Sequence, residues 1–426
     1  STGRQVQFLL SLEEIRKQIK LVLVEFCGLL AAQAPLVVVV EDLHWADQLS
    51  LEVLEYIINY HRDLPILFLG LTRPPTQEGA RAAAMAQRLV AHGTGLNLHL
   101  AELKPEDVRQ IIHSMLEIEE LPAAVKEKIV EYAGGNPLFV EEIIRYLIDQ
   151  GLLLPAEGYW KAAGGIGEAV IPDTLQGLLL SRIDQLPLAQ KSIIQHAAVV
   201  GKIFWEQLVS ELMDKEISGG LADLALRDMI RRSLQSSLSD DIEYIFKHIL
   251  VQEAAYNTIL KKFRINLHAK VVRLIEEKYP VLIDQYADLL AYHSERSEDR
   301  EKNIHYSILA GDKNRKLHAN QAAREFYRRT LKLMEGDPAR KAECFETGIK
   351  LADICSSLGD NDEAIVLLNG YLACAEGPEQ EAMLFRKIGE NYQRKSKYDQ
   401  SLQHLERAVA RLSADPNSLE MFNIFR

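Results

Sequence analysis

The sequence predicts a multidomain protein in which an α/β part with a parallel sheet precedes smaller, mainly helical modules and an all-helical repeat arm. Two aliphatic runs, Leu36–Val40 and residues 66–71, flank a helical stretch near the N-terminus. Beyond Pro105, strand-like runs nearly vanish, and in the last third small and large residues recur at a fixed spacing. Strand, helix and strand with short connections are typical of a parallel sheet, and a fixed spacing is typical of repeats.

Composition narrows the class of protein. The chain has 426 residues and a formal net charge of −12, so broad binding to nucleic acid or anionic membranes is not expected. No apolar run has the length of a membrane-spanning helix and no signal peptide opens the sequence, which predicts a cytoplasmic protein. Cys27, Cys344, Cys355 and Cys374 form no CxxC pair and predict reduced thiols rather than a disulfide or metal framework.

The first helix and strand follow from local signals. Ser11 and Glu14 form a capping box before an apolar stripe of helical period, which Pro35 ends. The uninterrupted aliphatic run Leu36–Val40 then predicts a strand covered on both faces, at the centre of a parallel sheet.

The remaining α/β elements are predicted from their flanking residues. Asp47 is expected to cap a helix at residues 49–60, and residues 66–71 form the next buried strand. Alternating leucines at residues 96–103 predict a third strand.

The middle of the chain predicts small helices and one hairpin. Amphipathic helices between residues 104 and 150 are interrupted at Gly134-Gly135-Asn136-Pro137, a helix stop signal. A glycine-bearing stretch at residues 152–171 predicts a β-hairpin, which with the helices that follow indicates a winged-helix module. After about Asp241 only helices are expected. The predicted domains are residues 1–103, 104–150, 151–260 and 261–426.

The last third contains a repeat. Five positions recur at a spacing of 37 residues: Leu351, Ala352, Cys355, Ala364 and Leu368 correspond to Ile388, Gly389, Tyr392, Ser401 and Leu405. Small residues at helix crossings with larger ones between them resemble the tetratricopeptide repeat (TPR), whose period is 34. A degenerate unit is predicted near Ala322, and an unspecialised helical bundle is the alternative.

Two carboxylates follow the first strand. Glu41 and Asp42 are expected at its carboxyl end, where open parallel sheets bind ligands. In P-loop nucleotidases such a Walker B pair holds Mg²⁺, usually through water, and orients or deprotonates the attacking water. The alternative is that the pair only caps the following loop.

Two motifs together carry a family resemblance. EDLHWAD, followed by a helix and by LFLGLTRP, resembles the STAND class of P-loop ATPases in the AAA+ lineage, as found in bacterial signalling proteins. The resemblance implies that Arg73 is the sensor-1 residue, which reports on the γ-phosphate. GGNPLFVEEI resembles the GxP motif of that class, which implies that Gly135 and Pro137 lie near the adenine and couple the nucleotide state to a helical lid.

One element of that class is missing from the sequence. No GxxxxGK[ST] phosphate-binding loop (Walker A) occurs in the chain. The chain is therefore interpreted as a fragment of a longer ATPase, as half of a site completed by another chain, or as a degenerate ATPase kept as a platform. ATP or ADP and Mg²⁺ are expected cofactors of the complete protein, whereas this chain alone is compatible with binding neither.

Three functions remain open at this point. The leading hypothesis is an ATP-dependent signalling switch whose TPR-like arm binds a protein partner or small ligand. The alternative is a protein-interaction scaffold without turnover, so that enzymatic activity of this chain is left open, as is homo-oligomerisation. The weaker alternative is DNA binding through the winged helix, with basic residues around Arg227 and Lys261.

Overall fold

A computed structural model describes residues 12–46, 48–61, 63–74, 80–116, 121–156, 159–237 and 241–412. The chain divides into two compact units, residues 1–101 and 102–426. The predicted capping residues Ser11 and Asp47 lie outside the described residues, as does the side chain of Glu14. Within the described part, no helix is long and apolar enough to cross a bilayer.

The first unit contains a two-stranded parallel sheet. Its helices are α1 (Leu12–Gln33), α2 (Gln48–Tyr60) and α3 (Ala80–Ala91), and its strands are β1 (Leu36–Val40) and β2 (Ile66–Gly70). The strands pair in parallel from Leu36 opposite Ile66 to Val40 opposite Gly70, which confirms the predicted strand–helix–strand order. A small apolar core of Leu43, Leu51, Ala82 and Met85 lies beside the sheet.

The predicted third strand is wrong. Residues 96–103 form no strand, and Leu96, Leu98 and Leu100 are strongly exposed. An alternating apolar pattern becomes a strand only where a neighbouring strand can accept its backbone hydrogen bonds, and the sheet of the described residues pairs only β1 with β2.

The sheet is covered on one face only. Val37, Val39 and Leu67 are each more than half exposed, and Leu69 is nearly so. The alternate residues Leu36, Val38 and Val40 of β1 and Ile66 and Phe68 of β2 are half-buried. The expectation that β1 is covered on both faces therefore fails within the described residues, because their helices cover a single face. We call the four exposed residues the open sheet face.

The second unit begins with three helices and a hairpin. These are α4 (Pro105–Leu116), α5 (Ala123–Ala133), α6 (Pro137–Asp149), β3 (Leu153–Pro155) and β4 (Trp160–Ala162). The predicted hairpin is confirmed, with β3 and β4 antiparallel. Its residue Leu153 shares one hydrophobic core with the three helices and with Leu178 further on. The predicted boundary at residue 150 therefore falls inside a continuous core.

A three-stranded sheet follows. The elements in order are α7 (Leu175–Asp184), α8 (Leu188–Val200), β5 (Ile203–Trp205), α9 (Glu206–Met213), α10 (Ser218–Leu226), β6 (Ile230–Arg232), β7 (Glu243–Phe246) and α11 (Ile249–Asn257). Strand β7 lies between β5 and β6, antiparallel to both. The expectation of helices alone after Asp241 is thus wrong, because the residues of β7 fit a buried central strand although they directly precede a helical stretch.

The rest of the chain is helical. The helices are α12 (Lys261–Lys278), α13 (Ala287–Arg296), α14 (Arg300–Lys316), α15 (Asn320–Met334), α16 (Lys341–Ser357), α17 (Asn361–Tyr371), α18 (Pro378–Arg394) and α19 (Tyr398–Arg411). Both predicted repeat units, α16 with α17 and α18 with α19, are present as helix pairs, and α14 with α15 forms the degenerate one. The small residues Ala364 and Ser401 are buried, as the repeat pattern predicts, and Ala323 of α15 is buried as well.

Ion pairs join successive repeats. Lys350 Nζ lies 2.7 Å from Asp312 Oδ2, and Lys387 Nζ lies 2.5 Å from Asp353 Oδ1. In each case a lysine on the first helix of one repeat binds an aspartate on the first helix of the repeat before it. The ion pairs therefore add polar contacts between repeats to the apolar packing.

Gly311 in α14 allows the close approach of α15. A Cβ atom at this position would lie 2.5 Å from Cε1 of Tyr327, whose ring is fully buried and whose hydroxyl donates to Asp312 Oδ1 at 2.7 Å. We expect Gly311→Ala to destabilise the arm by about 1–3 kcal/mol, because the ring has no free space to move into. Gly370→Ala in α17, where no atom lies within 4 Å of the new Cβ, is the control and is expected to stabilise by about 0.5–1 kcal/mol. Urea unfolding followed by circular dichroism compares the two variants, and equal midpoints would contradict the packing argument.

Candidate functional site

The acidic pair lies where β1 ends. Glu41 is exposed, and Asp42 has a left-handed backbone (φ 54°, ψ 37°), a conformation that aspartate tolerates better than most residues. The N–H of Leu43 donates to Leu71 O at 3.0 Å, and the N–H of Leu71 donates to Val40 O at 2.9 Å. These two bonds join the segment after β1 to the segment after β2, so residues following both strands meet at one edge of the sheet.

An open cleft of about 270 Å³ lies at this edge. It is lined by Glu41, Asp42, His44, Leu71, Thr72 and Arg73. Arg73 is exposed, and its guanidinium carbon lies 5.8 Å from the centre of the Trp45 ring. The structure therefore brings together three of the predicted site residues, the two carboxylates and the arginine, although the arginine follows a different strand.

His44 is the cleft residue whose importance the sequence did not reveal. Its ring is buried and lies 4.8 Å from the ring of Trp45, with Nε2 at 3.9 Å from Asp42 Oδ1. The sequence has no HExxH-type spacing around His44 that would mark it as a ligand. Burial and hydrogen-bond satisfaction depend on the tertiary structure, so no pattern in the sequence could have distinguished its surroundings.

The donors in the cleft fit a hard divalent cation held through water. Carboxylate oxygens are ligands that Mg²⁺ accepts, and this ion usually keeps several waters and takes phosphate oxygens as well. Within the described ranges, no three His, Cys, Asp or Glu side chains converge as a complete metal site. The acidic pair could therefore supply only part of a coordination shell, and water or a phosphate-bearing ligand would have to supply the rest.

Gly135 and Pro137 lie in the second unit and form a sharp turn there. Gly135 has φ 77°, and a Cβ at this position would lie 2.6 Å from Leu103 O, so only glycine fits. Asn136 accepts a hydrogen bond from the N–H of Leu138 at 3.0 Å, and Pro137 is the first residue of α6. These contacts explain the turn by local structure, and the role of the two residues near an adenine stays a prediction.

A buried charge network holds the far end of α6. Arg182 on α7 forms an ion pair with Glu142, and its Nε lies 2.9 Å from Asp149 Oδ2. Its Nη2 also donates to the carbonyl oxygen of Arg227 at 2.9 Å. Arg182 and Glu142 are almost fully buried. The helix that begins at Pro137 is thus bonded at its other end to the module that follows it.

Comparison with known proteins gives distant relatives. No protein-family profile matches the chain. An uncharacterized protein of Rhizobium meliloti (strain 1021) is 26% identical over 313 residues, which cover 71% of this chain and 28% of that protein. Adenylate cyclase type 10 of Rattus norvegicus is 21% identical over 236 residues, which cover 46% of this chain and 14% of the cyclase. The chain thus spans less than a third of the length of these relatives.

Solved structures show weak likenesses. A signal transduction ATPase with numerous domains and a tetratricopeptide repeat sensor from Pyrococcus horikoshii aligns over 98% of this chain and 67% of its own, with 12% identity and a TM-score of 0.38. MamA from AMB-1 aligns over 38% of this chain and 79% of its own, with 20% identity and a TM-score of 0.27. At these scores the likenesses carry no argument about function, which rests on the residues themselves.

Proposed function

We propose that this chain is part of an ATP-dependent signal-transduction switch of the STAND kind. The observation that carries the proposal is the shared cleft, in which Glu41, Asp42 and Arg73 meet at the carboxyl edge of a parallel sheet. Glu41 and Asp42 would hold Mg²⁺ through water and would orient or deprotonate the attacking water, while Arg73 would contact the terminal phosphate. The bound Mg²⁺ supplies charge neutralisation for the phosphates.

The open sheet face supports the proposal that the nucleotide site is completed by further polypeptide. Its aliphatic side chains are contiguous, and covering each of them stabilises by about 1 kcal/mol or more. The sequence contains no phosphate-binding loop to complete the cleft. The polypeptide that carries this loop, in a longer chain or in a partner chain, covers the face in our proposal and brings the loop to the acidic pair.

Helix α6 is the proposed coupling element. It starts at the tight turn of Gly135 and Pro137, and Glu142 and Asp149 bind Arg182 in the next module. A change in the turn on nucleotide exchange would move α6 as a rigid body and carry this module with it. The helical arm then binds the protein partner or small ligand to which the switch responds.

The experiment is hydrolysis by the complete protein with Glu41→Gln or Asp42→Asn. Phosphate release is expected to fall by about 100-fold or more, because the attacking water loses its orienting carboxylate or the cation its ligand, while fluorescent-ATP binding persists. Asp63→Asn is the matched control, since this exposed aspartate precedes β2 and lies outside the residues lining the cleft. Unchanged turnover in both site variants would remove these residues from the mechanism.

A scaffold without turnover is the second candidate, favoured by the absence of a GxxxxGK[ST] loop from the sequence. Titration of fluorescent ATP into the complete protein distinguishes the two functions. Micromolar binding supports the switch, whereas a complete protein that binds its partner but not ATP supports the scaffold.

DNA binding gains no support from the basic residues named for it. Arg227 Nη1 lies 3.3 Å from Asp149 Oδ1, and Lys261 Nζ lies 3.6 Å from Glu298 Oε1. Carboxylates therefore accompany both positive charges and reduce the attraction of these sites for phosphate.

A further inference from the structure

His44 is a buried imidazole without a protein partner for its ring. Its side chain is 5% exposed, and neither Nδ1 nor Nε2 has a hydrogen-bond partner among the described residues. Buried polar atoms are rarely left without a hydrogen bond, and each exception calls for an explanation such as a ligand, an ion or water. Since His44 also lines the cleft of the acidic pair, its unpaired nitrogens point to a role in that cleft.

The position of the ring is fixed by the turn that carries it. Residues Leu43–Trp45 form one 3₁₀ turn, in which the N–H of Trp45 donates to Asp42 O at 2.9 Å. Leu43 packs over Gly70 of β2, where a Cβ would lie 2.5 Å from the leucine side chain. The turn is therefore seated on the sheet, so the imidazole cannot shift far without disturbing the end of β2.

The carboxylate of Asp42 lies close to the ring of His44. The distance of 3.9 Å between His44 Nε2 and Asp42 Oδ1 is too long for a hydrogen bond and short enough for about 1 Å of side-chain movement to form one. An ionised carboxylate can only accept, so the neutral ring must carry its proton on Nε2 to make this bond. Nδ1 then remains as an acceptor for water.

We propose that His44 is a positioning residue that donates from Nε2 to Asp42 and fixes the orientation of this carboxylate toward a divalent cation. The part of this inference that concerns the cation rests on the proposed function. One carboxylate oxygen is held by the imidazole, and the other faces the cleft and binds the cation through water. The ring of Trp45 contacts the ring of His44 at 4.8 Å and lies 5.8 Å from the guanidinium carbon of Arg73, so the same turn contacts both charged sides of the cleft.

The test replaces His44 by three side chains in the full chain and titrates Mn²⁺ alone by electron paramagnetic resonance. Glutamine places an amide N–H₂ near the position of Nε2, asparagine places one near Nδ1, and phenylalanine keeps the ring without donors. We expect His44→Gln to bind Mn²⁺ within about 3-fold of the original chain, and His44→Asn and His44→Phe to bind about 10-fold more weakly. Asp42→Asn serves as the reference for loss of the acidic pair.

A second readout needs no cation. In the metal-free chain with ¹⁵N-labelled histidine, the ring of His44 is expected as the Nε2–H tautomer and is expected to change its shifts in Asp42→Asn. An Nδ1–H tautomer would overturn the proposed bond from His44 to Asp42, whether or not the acidic pair binds a cation.

The outcomes separate the two proposals. If Asp42→Asn weakens Mn²⁺ binding and His44→Phe does not, the positioning role is wrong and the acidic pair stands. If Asp42→Asn binds Mn²⁺ as tightly as the original chain does, the acidic pair fails as a cation site and the role of His44 toward a cation fails with it. Thermal unfolding of each variant shows whether weaker binding reflects a lost fold.

Discussion

Replacement of Arg182 by methionine is expected to destabilise the second unit by about 3–5 kcal/mol. The side chains of Arg182 and Glu142 are 2% and 1% exposed, so the substitution leaves a carboxylate buried without its cation. Asp149 also loses one of its two arginine partners and keeps Arg227. The cost arises from the uncompensated charge rather than from the loss of a favourable contact.

The matched control is Arg145→Met on the neighbouring face of α6. Arg145 forms ion pairs with Glu141 and Asp228, but its side chain is 28% exposed and water can replace it. A loss of about 1 kcal/mol or less is expected. Urea unfolding gives both values, and hydrogen exchange localises the effect to α6 and α7. The double variant Arg182→Met with Glu142→Gln should recover most of the stability, because the orphan charge is gone; equal effects of Arg182→Met and Arg145→Met would contradict the argument.

The second large effect is a loss of stability in acid. His268 Nδ1 and His293 Nδ1 lie 2.7 Å apart, and the hydroxyl of Tyr256 lies 3.0 Å from His268 Nε2. Two facing ring nitrogens need one donor and one acceptor, so this chain of bonds fits two neutral rings. Burial, together with the charges of Arg296 and Arg264, lowers the pKa of His268 to about 4. Burial, followed by the charges of His268 and Arg296, also lowers the pKa of His293 well below its usual value.

The sign follows from proton binding. The unfolded chain takes up protons on these histidines near pH 6.5, whereas folded His268 takes one up only near pH 4. The contribution of these neutral rings to the free energy of unfolding is complete above pH 6.5 and is lost progressively as the pH falls toward 4. For His268 this loss amounts to about 3 kcal/mol. The melting temperature should therefore fall less between pH 7 and pH 5 in His268→Gln than in the original chain. His99→Gln, at an exposed histidine, should show the same fall in melting temperature as the original chain. An equal fall in all three chains would contradict the role of the buried pair.

The elements predicted correctly are those with a strong local signal. The aliphatic run of β1, the helical period of α2 and the stop signal before Pro137 are each contained in a few neighbouring residues. The secondary-structure predictions that were wrong concern elements that depend on residues distant in the sequence. Residues 96–103 have the pattern of a strand but no partner strand among the described residues, and β7 is a strand because β5 and β6 lie on either side of it.

The same distinction applies to the site. Glu41 and Asp42 could be predicted at this edge from the strand that precedes them, whereas the role of Arg73 was implied by the family resemblance alone. The three residues meet because the ends of parallel strands share one edge. Arg182 could not be assigned a role, since its partner Glu142 lies 40 positions away and looks like an ordinary exposed helix residue in the sequence. Buried polar pairs of this kind have no periodic signature, because each depends on how two helices happen to face one another.

The left-handed backbone of Asp42 restricts which acid can occupy that position. Aspartate and asparagine adopt φ near 54° more readily than other residues, and glutamate adopts it at a small extra cost, as Glu298 does in this chain at φ 59°. At Glu41, which is not among the left-handed positions, the longer acid meets no such restriction. Exchanging the two acids is therefore expected to cost a little backbone strain at position 42 and none at position 41.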